Sequence, residues 1–298
     1  MIYEEIASNK RKSYFLIFVF FILVIALGLV FGLYFNNIYF GAILAFLFSI
    51  VYFLISYYSG DRMILAVSHA RPVEKKDYPH LYNTVEGLAI AAGTPMPKIY
   101  VIDDTAINAF ATGRDPKHAS ITVTKGAVQK LNRQELEGVI GHEMSHIKNF
   151  DIRLMMLTAV LIGVTVLLSD IILRSFIYGA GRRDDRREGG NITIIFILVG
   201  LALAILAPIV AKMMQLAISR KREYLADADG ALITRYPQGL ADALKKIKND
   251  KDPLVDSANK ATAHLYIANP LRNIKGFMNN LFSTHPPIEE RIKRLEAM

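Results

Sequence analysis

The stretch Asn132-Arg133-Gln134-Glu135-Leu136-Glu137-Gly138-Val139-Ile140-Gly141-His142-Glu143-Met144-Ser145-His146-Ile147 reads as one capped helix. Asn132 and Glu135 have the spacing of a capping box, in which each side chain accepts the other's backbone amide. Leu136, Val139, Ile140 and Ile147 then recur at helical spacing. His142 and His146 therefore stand at i and i+4 on one face, where two imidazoles can grip one Zn²⁺. Glu143 projects beside them. Zinc lowers the pKa of a bound water toward neutrality, and a neighbouring carboxylate can take its proton. A chance His-Glu-x-x-His is the competing reading. Against it, the motif sits on a capped helix and uses two of only seven histidines.

A catalytic zinc needs a third protein ligand and an open position. A third histidine six residues further on is absent, because position 149 is Asn149 and position 152 is Ile152. The stretch Ser219-Arg220-Lys221-Arg222-Glu223-Tyr224-Leu225-Ala226-Asp227 offers two acids, Glu223 and Asp227, at i and i+4. Glu223 can complete a His₂Glu set, with Asp227 orienting a ligand histidine. Two surface acids on an ordinary charged helix are the alternative that these residues leave open.

The rest of the chain is apolar for its length. Of 298 residues, 52% are hydrophobic and 21% charged, with a mean hydropathy of +0.29. The excess lies in four runs, Ser13 to Phe35, Ile38 to Tyr58, Leu154 to Leu173 and Ile192 to Ala211. The first two are uncharged, are each long enough to cross a bilayer, and are separated only by Asn36-Asn37, so they predict a helical hairpin. Tyr34, Tyr39, Tyr57 and Tyr58 sit where interfacial aromatics belong. Asp170 lies near the end of run three and reaches the interface; Pro208 in run four is tolerable in a membrane helix. Run one is too long for a signal peptide and lacks a cleavage site, so it reads as an anchor.

The expected architecture is an α-helical polytopic membrane protein with four transmembrane helices. Residues 1–59 form the first hairpin, 60–152 the first part of a catalytic domain, 153–218 a second hairpin and 219–298 the second catalytic part. An even number of crossings between the two polar parts lets them share one site on one side of the bilayer. Lys10-Arg11-Lys12 place the N-terminus, and so the site, in the cytoplasm. Arg182, Arg183, Arg186 and Arg187, in the loop after run three, pull against that orientation. The net charge of +8 reads as cytoplasmic-side charge and not as a nucleic-acid surface, and the absence of cysteine excludes disulfides, iron–sulfur clusters and a thiol nucleophile.

His142-Glu143-Met144-Ser145-His146, with Asn149 and Asp151, resembles the zinc motif of the HtpX family of membrane zinc metalloproteases. Ser219-Arg220, Arg222-Glu223-Tyr224 and Ala226-Asp227 resemble that family's third-ligand motif. Asn108-Ala109-Phe110-Ala111-Thr112-Gly113 and Ser283-Thr284-His285-Pro286-Pro287 are similar to two further signatures. The resemblance extends over nearly the whole chain. It implies one Zn²⁺ per chain on His142, His146 and Glu223, with Glu143 as the base. It also implies an α+β, gluzincin-like catalytic domain split by a membrane hairpin, and a stress-response role in degrading misfolded or damaged membrane proteins.

Lys98 to Asp103 and Ser120 to Thr124 read as short strands, with Asn108, Ala109 and Phe110 between them. An exposed edge there could take substrate backbone as an added strand; a core strand with Phe110 merely packed is the other reading. His285 is the candidate donor to the tetrahedral oxyanion, with His118 and His264 as competitors. The partners expected are polypeptides, membrane proteins above all, and the lipid bilayer, with the site near the cytoplasmic membrane surface. An intramembrane protease would carry its zinc motif in an apolar crossing, whereas Lys148, Asn149 and Asp151 follow this one. A processing protease for lipidated substrates and a non-enzymatic zinc sensor or transporter are the further alternatives. Ala7 to Lys12 and Lys248 to Pro253 read as flexible polar segments, open to self-cleavage in detergent.

Overall fold

In the computed structural model, which describes residues 2–34, 37–161, 220–250, 252, 258, 262–270 and 286–298, the first two apolar runs are long helices. Helix α1 spans Ile2–Tyr34 and helix α2 spans Ile38–Val67, and they pack against each other as a hairpin. A Cβ on Gly28 would overlap the Ala45 side chain, and one on Gly41 would overlap the Gly28 carbonyl. Small residues here let the two backbones meet, as they do between membrane helices. Among the described residues, α2 is the one helix long and apolar enough to cross a membrane. Tyr39, Ile43, Leu44, Leu47, Val51 and Ile55 on it are each about half exposed or more, an apolar surface that suits lipid.

Both helices overrun their apolar cores. α1 begins at Ile2, so Ala7 to Lys12 is helical, not flexible, and Asn9 there is buried. Lys248 and Asn249 likewise end a helix, and the Asp250 carboxylate accepts from the Ile107 amide at 3.0 Å and the Lys130 ammonium at 2.8 Å. Ala7 to Lys12, and the second segment as far as Asp250, are thus held and not loose; residues 251 and 253 lie outside the described residues. A short helix α3 (Pro79–Ala92) and the sheet follow the hairpin.

The sheet has four strands, β1 (Arg71–Pro72), β2 (Lys98–Ile102), β3 (Ala109–Gly113) and β4 (Ala119–Thr124), in the order β1-β2-β4-β3. β2 and β4 run parallel; the outer pairs are antiparallel. β2 and β4 fall where the β-branched residues predict them. After the short helix α4 (Lys125–Lys130) comes the central helix α5 (Arg133–Lys148). Its capping box is formed: the Asn132 side chain accepts from the Glu135 amide at 2.9 Å, and the Glu135 carboxylate accepts from the Asn132 amide at 2.7 Å. Such a cap is worth about 1 kcal/mol.

Residues 151–161 form helix α6, the described part of run three. Leu154, Met155, Met156 and Leu157 are buried in a cluster with Leu16 of α1 and Ile64 of α2. The rest of run three with Asp170, the arginine-rich loop and run four lie outside the described residues. The C-terminal part supplies α7 (Arg220–Thr234), α8 (Pro237–Asn249) and α9 (Ile288–Glu296). α5 packs against α3, α7, α8 and β3. One apolar core joins Leu136, Val139, Ile140 and Ile147 of α5 to Leu240, Leu244 and Ile247 of α8 and to Ile121 and Val123 of β4. Residues far apart in sequence thus share one core. A Cβ on Gly230 of α7 would come within 2.9 Å of the His142 amide nitrogen, so glycine there lets α7 lie directly on the histidine turn of α5.

Candidate metal centre

His142 and His146 face the same side of α5, and α7 brings Glu223 against them. The two Nε2 atoms are 3.2 Å apart. Glu223 Oε2 lies 3.7 Å from His142 Nε2, and its Oε1 lies 3.6 Å from His146 Nε2. All three side chains are buried. Tetrahedral zinc with bonds of about 2.0–2.2 Å has ligand-to-ligand edges of roughly 3.3–3.6 Å. The two Nε2 atoms are close to one such edge, a different Glu223 oxygen faces each of them, and one ligand atom from each of the three residues lies within 4.8 Å of the others, a set that can hold one ion.

The outer ring nitrogens are fixed. His146 Nδ1 donates to Asp151 Oδ2 at 2.9 Å, and His142 Nδ1 is 3.0 Å from Asp227 Oδ1. A carboxylate on each Nδ1 holds the proton there and turns the Nε2 lone pair inward, the arrangement usual behind a metal-bound histidine. Asp227 is in turn held by Arg291 of α9, whose Nε and Nη2 donate to its two oxygens at 2.9 and 2.7 Å. Arg291 is only 1% exposed and also donates from Nη1 to the Ile267 carbonyl at 2.9 Å. Asp151 accepts at Oδ1 from Asn9 Nδ2 at 2.6 Å and Arg222 Nε at 3.0 Å. Asp229 ties α7 to α5 through Asn149 Nδ2 at 2.9 Å.

Burial and charge set the protonation of the centre without its ion. Burial lowers His142 to about 4, although its bond to Asp227 opposes this. Burial would lower His146 as well, but Asp151 and Glu223 outweigh it and raise it to about 9. One proton therefore stays in the imidazole pair at neutral pH. Burial lifts Glu143 to about 7, with His146 pulling down and Glu223 adding to the rise. Neither Glu143 oxygen is satisfied by a full hydrogen bond, a cost a protein accepts for a carboxylate that acts on something else. Burial also opposes the charge on Asp227, but Arg291 and His142 hold it down at about 2.

The strand expected to receive substrate is an edge strand, yet it is closed. Asn108, Ala109 and Phe110 are all buried. The Ile267 amide donates to the Ala109 carbonyl at 2.9 Å, Asn108 Nδ2 donates to the Ala268 carbonyl at 3.1 Å, and Phe110 meets Tyr266 edge-to-face at 4.9 Å. Residues 266–268 thus cover the edge in this structure. His285 falls outside the described residues. His118 pairs with Asp115 at 2.8 Å and His264 contacts the Met155 carbonyl at 3.1 Å. Sequence reasoning missed Arg291 and Asn9, and quoted Arg222 and Asp151 within the motifs without a role of their own. Arg291 and Asn9 carry no local signal, since each reaches the centre only through tertiary packing; Arg222 and Asp151 were marked by their place in the motifs.

Residues 75–298 match the model of peptidase family M48. The chain is therefore a metalloprotease, an enzyme that hydrolyses peptide bonds. It is 50% identical over 299 residues to a protein named protease HtpX homolog of Dictyoglomus thermophilum, covering 99% of this chain and 94% of that one. Homologues of the same name from Caldanaerobacter subterraneus (48% identical, 100% and 98% covered) and Tropheryma whipplei (46%, 100% and 99%) agree. The chain belongs to the HtpX proteases of family M48, which are membrane-bound metalloproteases. The crystal structure of S. mikatae Ste24p shares the fold, with a TM-score of 0.51 at 22% identity over 98% of this chain and 67% of that one.

Proposed function

We propose that this chain is a zinc endopeptidase of membrane-protein quality control, cutting misfolded or damaged membrane proteins at the cytoplasmic membrane surface. The observation that carries the reading is the buried cluster of His142, His146 and Glu223, whose ligand atoms lie within 4.8 Å of one another, with the unsatisfied Glu143 beside it. His142, His146 and Glu223 would hold one Zn²⁺, whose Lewis acidity makes water nucleophilic near neutral pH. Glu143 takes the proton from the attacking water at its carboxylate and returns it to the leaving amine nitrogen. Asp227 and Asp151 keep the two imidazoles oriented through the step. His285 remains the proposed donor to the oxyanion.

Asn108, Ala109 and Phe110 are proposed to bind substrate backbone along the β3 edge, which requires residues 266–268 to give way. The site adjoins the hairpin through α6, which starts at the Asp151 that holds His146 and packs on α1 and α2. This supports action on segments close to the bilayer. The remaining features of the reading are four crossings, domain parts at 60–152 and 219–298 divided by the hairpin of 153–218, and a cytoplasmic orientation. The test is hydrolysis of an unfolded membrane-protein tail by the full chain in proteoliposomes, with and without a zinc chelator. Loss of cleavage in chelator and its return with zinc are expected. Cleavage confined to a lipidated terminus would instead identify a processing protease.

A further inference from the structure

We infer that Asn9 of the N-terminal membrane helix is a positioning residue of the metal centre, so the centre is completed by a helix that the family match at 75–298 leaves out. Asn9 is 1% exposed and two turns or fewer from Ser13 and Leu16, which are equally buried on the same face of α1. Its Nδ2 donates to Asp151 Oδ1 at 2.6 Å and to the Asn149 carbonyl at 3.0 Å. Both neighbours are acceptors, so the amide must present its nitrogen to them. Asp151 passes its other oxygen to His146 Nδ1 at 2.9 Å. One side chain thus reaches from the membrane helix to a proposed zinc ligand through a single carboxylate.

The turn it grips needs holding. α5 ends at Lys148, and Phe150 follows with φ of 59°, a left-handed conformation that a bulky L-residue resists. Asn9 bonds one side of that turn, and Lys10 lies over the Phe150 ring at 4.5 Å. Arg222 also donates to Asp151 Oδ1, at 3.0 Å. Arg222 holds the carboxylate plane from α7 alone, whereas Asn9 also ties it to the backbone of its own turn. Bridging Oδ1 to the Asn149 carbonyl pins that plane, and so the aim of Oδ2 at His146. A displacement of α1 in the bilayer would then be felt as a change in metal affinity and not only in stability.

The experiment measures Zn²⁺ affinity of the full chain in detergent by competition with a chromophoric chelator, beside the melting temperature of the metal-free protein. Asn9→Leu, with as many side-chain heavy atoms but no donors, should weaken zinc binding about tenfold, as loss of an outer partner of a ligand does. It should also lower the metal-free melting temperature, because two buried acceptors lose a donor. Ser13→Ala, which removes a buried hydroxyl on the same face of α1 without touching Asp151, should leave zinc affinity unchanged. Asn9→Ala serves in its place should the leucine variant not fold. Zinc affinity equal to wild type in Asn9→Leu overturns the inference, as does an equal loss of affinity in Ser13→Ala. In an Asp151→Ala background, which removes the acceptor, Asn9→Leu should add nothing to the loss of zinc affinity, because its effect travels through that carboxylate; additive losses also overturn it. The reading of zinc itself is tested separately, since wild type that fails to bind Zn²⁺ at all indicts the proposed function and not Asn9.

Discussion

Glu143 and Glu223 touch the same centre but should fail differently when changed. Glu143→Gln keeps the shape of the side chain and leaves the three proposed ligands intact, so metal content should be unchanged. Peptide hydrolysis should fall by about 10²–10⁴, the usual worth of a general base; near-normal turnover in the loaded variant would remove Glu143 from the role. Glu223→Ala takes away one corner of the triangle, so metal content and activity should fall together. Asp227→Ala and Asp151→Ala should each cost about 10–100-fold in metal affinity. Undiminished metal in Glu223→Ala would move the third ligand to Asp227 or His285. The imidazole pair makes a further expectation. With His146 at about 9, metal-free protein carries one proton there at pH 8, while Glu143 is already mostly ionised. Metal needs both imidazoles neutral, so uptake should release about one proton at pH 8. Affinity should climb about tenfold per pH unit up to about pH 9 and then level. Calorimetric titration in two buffers of different ionisation heat measures this, and an affinity flat between pH 7 and 9 contradicts it.

At the level of elements, the β3 edge and the segment 266–268 compete for the same backbone groups. Ile267 supplies the amide that closes the Ala109 carbonyl. Ile267→Pro removes that donor. The preceding Tyr266 already has φ −73° and ψ 148°, the extended backbone that a following proline favours, so the substitution does not force residue 266 to refold. The Arg291 bond to the Ile267 carbonyl can persist. If substrate pairs along β3, this variant should lower KM for an unfolded peptide by several-fold with kcat little changed. A KM that stays put or rises would mean that residues 266–268 are a permanent part of the wall and that substrate binds elsewhere.

For the whole molecule, the docking of α1 onto the catalytic part changes where self-cleavage can occur. Cleavage within Ala7 to Lys12 would require α1 to unwind and Asn9 to leave Asp151. Cleavage at Lys248 to Asp250 would break the anchor of Asp250 to Ile107 and Lys130. Protein incubated in detergent with zinc should therefore give no fragments ending in either segment by mass spectrometry. Any nicking that does occur should vanish in Glu143→Gln and in chelator. Fragments ending within residues 7–12 of the wild type would show that α1 undocks readily.

The helix of His142 to His146 was legible because its information is local. A capping box and a 3.6-residue period act within a few turns, and the i, i+4 spacing alone puts two imidazoles on one face. The two strands rich in β-branched residues and the α1–α2 hairpin were legible for the same reason, being set by short-range sterics and by the apolar length a bilayer demands. What no local pattern contains is which distant groups meet. Arg291 lies 64 residues from the Asp227 it holds, and Asn9 lies 142 from Asp151. Each is an ordinary polar residue on its own helix and gains meaning only when packing removes it from water, where an unpaired polar group is costly and must find a partner. The same holds for β3: its sequence marks a strand, but whether the edge lies open depended on residues 266–268, which the tertiary fold laid across it. Sequence by itself determined the spacing of His142 and His146, and the family resemblance proposed Glu223 with them; the tertiary structure decided that Glu223 meets them and what aims them, because meeting and aiming are set by packing and hydrogen bonds between elements that share no local sequence.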